Sequence, residues 1–154
     1  LRLRQAQATA SLISQMLHEH QAVDWVRYPG APDHPQHELA ARQMEGPGAI
    51  LCFGVRGGLD AGRRLMERVE LPTLAVSLGG VETLIEHPAS MTHASLPRSA
   101  REAAGITDNL IRLAVGCEDA EDLIADLETA LDSLSSEPSD QLSKRSSATE
   151  SASS

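Results

Sequence analysis

Only three aromatic side chains, Trp25, Tyr28 and Phe53, occur in this chain of 154 residues. Any core it builds must therefore be aliphatic, filled by Leu, Ile, Val, Met and Ala rather than by rings. With 41% hydrophobic residues there is enough of that material, and a chain of this length suits one domain that buries roughly two-thirds of its unfolded surface. The shortage of rings also argues against stacking on nucleic-acid bases. A formal charge of -9 repels a phosphate backbone, because non-specific binding there depends on clustered Lys and Arg. Nucleic acid is not an expected partner.

Cys52 and Cys117 sit far apart inside the apolar runs AILCFGV and LAVGCED, without the paired spacing of a zinc site, and read as small core residues. His34 and His37 flank a loop-to-helix junction, and His87 and His93 flank a proline-containing loop. Neither pair has a zinc spacing, so no metal is expected. No apolar stretch approaches the roughly 20 residues that span a bilayer, and no leader pattern is visible. A soluble, cytoplasmic protein with no membrane partner is expected, although Leu1 is not an initiator methionine.

Apolar residues at Leu3, Ala6, Ala10, Ile13, Met16 and Leu17 recur at helical spacing and predict an amphipathic helix over residues 2–20. It lacks an N-cap residue, as if the chain begins inside an element. Val23 to Tyr28 reads as a short strand ended by Pro29-Gly30. Pro35 then stands at a favoured first helical position for a helix over residues 35–44. Gly46-Pro47-Gly48 breaks it, and Ala49 to Val55 is the best strand of the sequence. A helix over residues 59–69 is predicted to turn Leu65, Met66 and Val69 inward and Arg63, Arg64 and Glu67 to water. Leu74 to Leu78, Thr83 to His87 and Leu110 to Val115 are further strands, with a short helix from Ser99 to Ala104. The last helix, Asp119 to Leu134, carries acidic residues in its first turn, where they meet the helix dipole favourably. The spacing is not that of a βαβ repeat. The expected fold is α+β, a mostly antiparallel sheet with helices packed on one face. From Ser135 to Ser154 the chain is Ser-rich and poor in apolar groups, and is expected to be disordered.

Two places carry chemistry. Ser77 ends a predicted strand and is followed by Leu78 and two glycines, which permits a sharp turn and close approach of a ligand; an ordinary strand-to-turn junction has the same pattern. Arg112 interrupts the apolar strand LIRLAV, with Ile111 and Leu113 on the opposite face. A guanidinium there can grip a carboxylate with two parallel hydrogen bonds. It equally fits a structural ion pair or an Arg turned to water.

The stretches AVSLGGVETLIEHPASMTHA (Ala75 to Ala94), GITDNLIRLAVGCEDAEDLIADLETAL (Gly105 to Leu131) and YPGAPDHPQHELAARQM (Tyr28 to Met44) together resemble one enzyme family. It is the C-terminal domain of the pyridoxal 5'-phosphate enzymes of cysteine and methionine metabolism, which include cystathionine γ-synthase, cystathionine γ-lyase and methionine γ-lyase. The resemblance implies the small C-terminal domain of a fold-type I enzyme, with residues 1–20 as a truncated interdomain helix, 21–134 as the substrate-side domain and 135–154 as a tail. It implies that Arg112 binds the substrate carboxylate and that Ser77 lies beside the cofactor. By the same resemblance Val76 and Leu78 line the pocket, Val76 being a specificity position of the methionine γ-lyase pattern. Thr92 and His93 would support that region.

Pyridoxal chemistry needs a lysine amine, and the only lysine is Lys144, in the Ser-rich tail. No catalytic residue is therefore expected in this chain, and no cofactor bound by it alone. The resemblance implies that an intact parent holds pyridoxal 5'-phosphate on an upstream domain missing here, works as a homo-oligomer, a tetramer in the family, and acts at the γ-carbon of a sulfur amino acid. The alternative is a catalytically dead remnant or an interaction module.

Overall fold

The computed structural model describes residues 1–135. Its elements run α1 (Arg2–Glu19), β1 (Val23–Arg27), α2 (His37–Gln43), β2 (Ile50–Val55), α3 (Gly58–Arg68), β3 (Thr73–Leu74), β4 (Leu84–Glu86), α4 (Arg98–Ala103), β5 (Leu110–Ala114) and α5 (Ala120–Ser135). The strands form one sheet in the order β1-β2-β5-β4-β3. All neighbours are antiparallel except β3 and β4, which pair in parallel. This is the expected α+β architecture, and α1, α3 and α5 supply its helical layer.

Strand alternation sorts the sheet residues between two faces. Leu51, Phe53 and Val55 of β2, Ile85 of β4, and Ile111 and Leu113 of β5 are buried on the helical side. They meet Ala10, Ile13 and Leu17 of α1, Ala61 and Leu65 of α3, and Leu123, Leu127 and Leu131 of α5. Each of those helices offers its apolar residues three or four positions apart, which places them on one stripe. At about 25 cal/mol per Å² of apolar surface removed from water, this aliphatic layer is the main stabilising term. α3 starts from Gly57 at φ 99°, a left-handed conformation that costs a side-chain-bearing residue energy.

The opposite face is built differently. Register pairs Arg27 with Cys52, Cys52 with Arg112, and Arg112 with Glu86. One row across four strands thus reads Arg, Cys, Arg, Glu, and none of the three long helices covers it.

Several local expectations are corrected. The strand predicted over Leu74 to Leu78 stops at Leu74, so Ser77 lies in a loop rather than at a strand end. After the last ladder bond, from Ala75 N to Ile85 O at 3.1 Å, the next carbonyls turn toward Arg112 instead of a neighbouring strand. Pro35 is not the first helical residue, because α2 begins at His37 after a turn. The cysteines are half-buried rather than core residues; Cys52 alternates onto the uncovered face, and Cys117 follows the end of β5. Leu3 is exposed, one turn before α1 reaches the core. Ser135 is the last residue of α5, and the rest of the expected tail, 136–154, lies outside the described residues. Among the described residues no helix is long and apolar enough to cross a membrane.

Candidate functional site

Arg112 is the third residue of β5 and projects from the uncovered face, between Cys52 on β2 and Glu86 on β4. Its Nη2 donates to the carbonyl oxygens of Val76 at 2.7 Å and Ser77 at 2.8 Å. These short bonds from a charged donor fix the guanidinium against the loop after β3. Two of the residues singled out in the sequence, Ser77 and Arg112, therefore meet, but through the serine's main-chain oxygen. Val76 and Leu78 are both 53% exposed, so the loop presents their apolar side chains outward beside the arginine.

Glu86 is the residue that sequence reasoning missed. It is 4% exposed, and its Oε2 lies 3.0 Å from Arg112 Nη2. The contact is electrostatic rather than an aligned hydrogen bond. Glu86 Oε2 and Arg112 Nε are the buried side-chain atoms left without a hydrogen-bond partner among the described residues. The signal was in the sequence: Glu86 closes the otherwise apolar strand LIE and Arg112 interrupts LIRLA, with opposite charge. On the other side of Arg112, Cys52 has its thiol pushed up in pKa, chiefly by burial; the positive charge of Arg112 opposes that effect and the negative charge of Glu86 adds to it.

The loop is tied down at its far end. Thr83 donates from its backbone N to Glu118 Oε1 at 2.6 Å and from its hydroxyl to Oε2 at 2.7 Å. Downstream, Thr92 donates to His93 Nδ1 or accepts from it at 2.7 Å, and its hydroxyl stands 3.5 Å from Glu86 Oε1. His87 has no exposed surface and is held between Ser90 Oγ and the Asp108 carbonyl, each at 2.8 Å.

A positively charged fork on a strand is thus oriented by two main-chain carbonyls and flanked by exposed apolar side chains. Residues 1–132 match the model of the Cys/Met metabolism PLP-dependent enzyme family. The chain is 50% identical over 131 residues to the L-methionine gamma-lyase of Pseudomonas deceptionensis, covering 85% of this chain and 33% of that protein. It is 50% identical over 132 residues to the cystathionine gamma-lyase of Dictyostelium discoideum, covering 86% of this chain and 34% of that one. Among solved structures, cystathionine gamma synthase from Xanthomonas oryzae pv. oryzae, in complex with aminoacrylate and cysteine, superposes with a TM-score of 0.81 at 49% identity. That match covers 87% of this chain and 35% of the other. The chain belongs to the Cys/Met metabolism PLP-dependent enzyme family, and it spans about a third of the length of the relatives it matches.

The family depends on pyridoxal 5'-phosphate. The described residues do not by themselves fit that group, because residues 1–135 contain no lysine to hold its aldehyde.

Proposed function

We propose that residues 1–134 are the substrate side of a PLP-dependent γ-lyase or γ-synthase of sulfur amino acids. In this reading residues 1–20 are the interdomain helix and 21–134 the substrate-side domain. The enzyme works in the cytoplasm as a homo-oligomer whose cofactor and lysine are supplied by a domain outside these residues. Arg112 takes the substrate α-carboxylate. The carbonyls of Val76 and Ser77 hold the guanidinium still, so less orientational entropy is lost when the substrate docks. Val76 and Leu78 contact the apolar side chain of the substrate, and the Ser77 hydroxyl faces the cofactor side. The cofactor supplies the electron sink; these residues bind and orient.

The observation that carries this reading is the unsatisfied Arg112 Nε, on a guanidinium whose Nη2 is already oriented by two main-chain acceptors. A buried donor without a partner is costly, by about 1–3 kcal/mol, and a bidentate carboxylate removes that cost. The opposing reading, a module without pyridoxal chemistry, rests on the absence of lysine from residues 1–134.

A chimaera separates the two. Residues 1–134 replace the matching third of the Pseudomonas deceptionensis L-methionine gamma-lyase, and 2-oxo-acid formation is measured with methionine, cystathionine, cysteine and activated homoserine. Turnover of at least one substrate, with the Michaelis constant raised by Arg112→Ala, is the expected result. A chimaera that folds and binds pyridoxal phosphate yet turns over none of the four overturns it.

A further inference from the structure

The substrate-side reading leaves Glu86 unused. It is a buried carboxylate on β4 in direct register with Arg112 on β5, with a side chain only 5% exposed and an Oε2 without a hydrogen-bond partner. Its role is not to aim the guanidinium. The aligned hydrogen bonds from Nη2 run to the carbonyls of Val76 and Ser77 at 2.7 and 2.8 Å, whereas Oε2 touches the same nitrogen at 3.0 Å without alignment. Orientation comes from the loop backbone, and Glu86 contributes charge. Its Oε1 has only the marginal contact with Thr92 Oγ1, at 3.5 Å, so neither oxygen is locked by strong donors.

We propose that Glu86 is a built-in competing carboxylate that sets how tightly Arg112 holds an external one. This inference rests on Arg112 being the carboxylate site. With Glu86 ionised, the pair is neutral before any ligand arrives. An incoming carboxylate must then share Arg112 with a fixed negative charge a few ångströms away. Attraction to the arginine is offset by repulsion from the glutamate, and the ligand is gripped only while its remaining contacts favour it. A site of this build binds a carboxylate weakly and releases it readily. No proton transfer or bond exchange is involved; Glu86 acts through Arg112 and sets the affinity for the external carboxylate.

The test uses the full chain and defined probes. Sodium acetate and L-methionine are titrated at low, matched ionic strength, and binding is read from the Arg112 Nε–H resonance and the backbone amides of Val76 to Leu78. Glu86→Gln, which keeps the shape and removes the charge, is expected to bind acetate roughly fivefold to tenfold more tightly, the Boltzmann weight of one unit charge at a few ångströms in a water-like medium. Glu86→Asp, which restores the charge, is expected to return affinity toward that of the unaltered chain. A purely structural role for Glu86 would not produce that rescue pattern.

Equal or weaker binding by a folded Glu86→Gln protein overturns the proposal while leaving Arg112 as the carboxylate site. If neither probe moves the Arg112 resonance in either protein, the assignment of Arg112 falls, and this inference with it. Should Glu86→Gln fail to fold, the Glu86 carboxyl carbon is followed in the unaltered chain. A shift that saturates together with the Arg112 resonance supports competition, and an unmoved carbon at saturation overturns it.

Discussion

Both carboxylate oxygens of Glu118 are spent on one residue, Thr83, one on its backbone N and one on its hydroxyl. Thr83 Oγ1 in turn accepts from Gly116 N at 2.9 Å, and Thr83 has no exposed surface. The clamp closes the loop between β3 and β4, whose other half carries Val76, Ser77 and Leu78 beside Arg112. Hydrogen bonds to charged groups contribute about 1.5–3 kcal/mol each. Glu118→Ala is therefore expected to destabilise the fold by about 2–3 kcal/mol, measured by urea denaturation. It should also broaden the amide resonances of the loop. A loss under about 0.5 kcal/mol, typical of an ordinary surface substitution, would contradict this role for the clamp.

Gly62, on α3, lies against the imidazole of His87. A Cβ placed there would overlap the ring at Nε2, with Cδ2 at 2.7 Å and Cε1 at 2.8 Å. The ring cannot swing aside cheaply, since Ser90 and the Asp108 carbonyl hold its two nitrogens. Helix propensity alone favours Ala over Gly by about 1 kcal/mol. Gly62→Ala is nevertheless expected to destabilise, by about 1–3 kcal/mol, because overpacking a filled core outweighs that gain. A raised melting temperature in this variant would show that the helix moves away freely.

The large elements were legible because their periodicity follows directly from which side is buried. The run AILCFGV marked β2, and the spacing of Ala10, Ile13 and Leu17 marked α1, all of them core positions now. The same alternation placed Arg112 opposite Ile111 and Leu113, whose side chains are fully buried. The Ser77 region was misread because its ending is decided from outside. Leu74 to Leu78 has strand composition, but the carbonyls of Val76 and Ser77 serve a guanidinium 36 and 35 residues away in the chain. Local propensity contains no such information. The pairing of Glu86 with Arg112 depends on register between β4 and β5, which a single sequence does not fix. Cys52 was placed in the core for its apolar neighbours, although counting in twos along β2 from Phe53 turns it to the other face.

His87 makes stability depend on pH in a definite direction. Burial lowers its pKa below the usual 6.5; the hydrogen bond to the Asp108 carbonyl opposes this, the charges of Arg63 and Arg101 add to it, and the Asp108 carboxylate opposes it. The unfolded chain therefore takes up the proton before the folded one does. The stability that a neutral His87 contributes is fully present above about 6.5 and is lost as pH falls from there through the folded value. The melting temperature should fall between pH about 7.5 and about 5.5, and His87→Gln should flatten that slope while lowering the whole curve. An unchanged slope in the variant would remove His87 as its source.

Removing one member of the Arg112–Glu86 pair should be worse than removing both. Arg112→Met leaves the buried Glu86 carboxyl without its cationic partner, and breaking such a pair costs about 3–5 kcal/mol when it is fully buried. Arg112 retains 20% side-chain exposure, so water screens part of this and about 2–3 kcal/mol is expected. In Arg112→Met/Glu86→Leu the orphaned carboxyl is gone and apolar contacts replace it, so the double variant should recover at least half of the loss. Denaturant midpoints of the unaltered chain, the two single variants and the double variant give the coupling directly. Additive losses would mean that the contact at 3.0 Å contributes nothing, and Glu86 would then be too weakly coupled to Arg112 to compete with any ligand there.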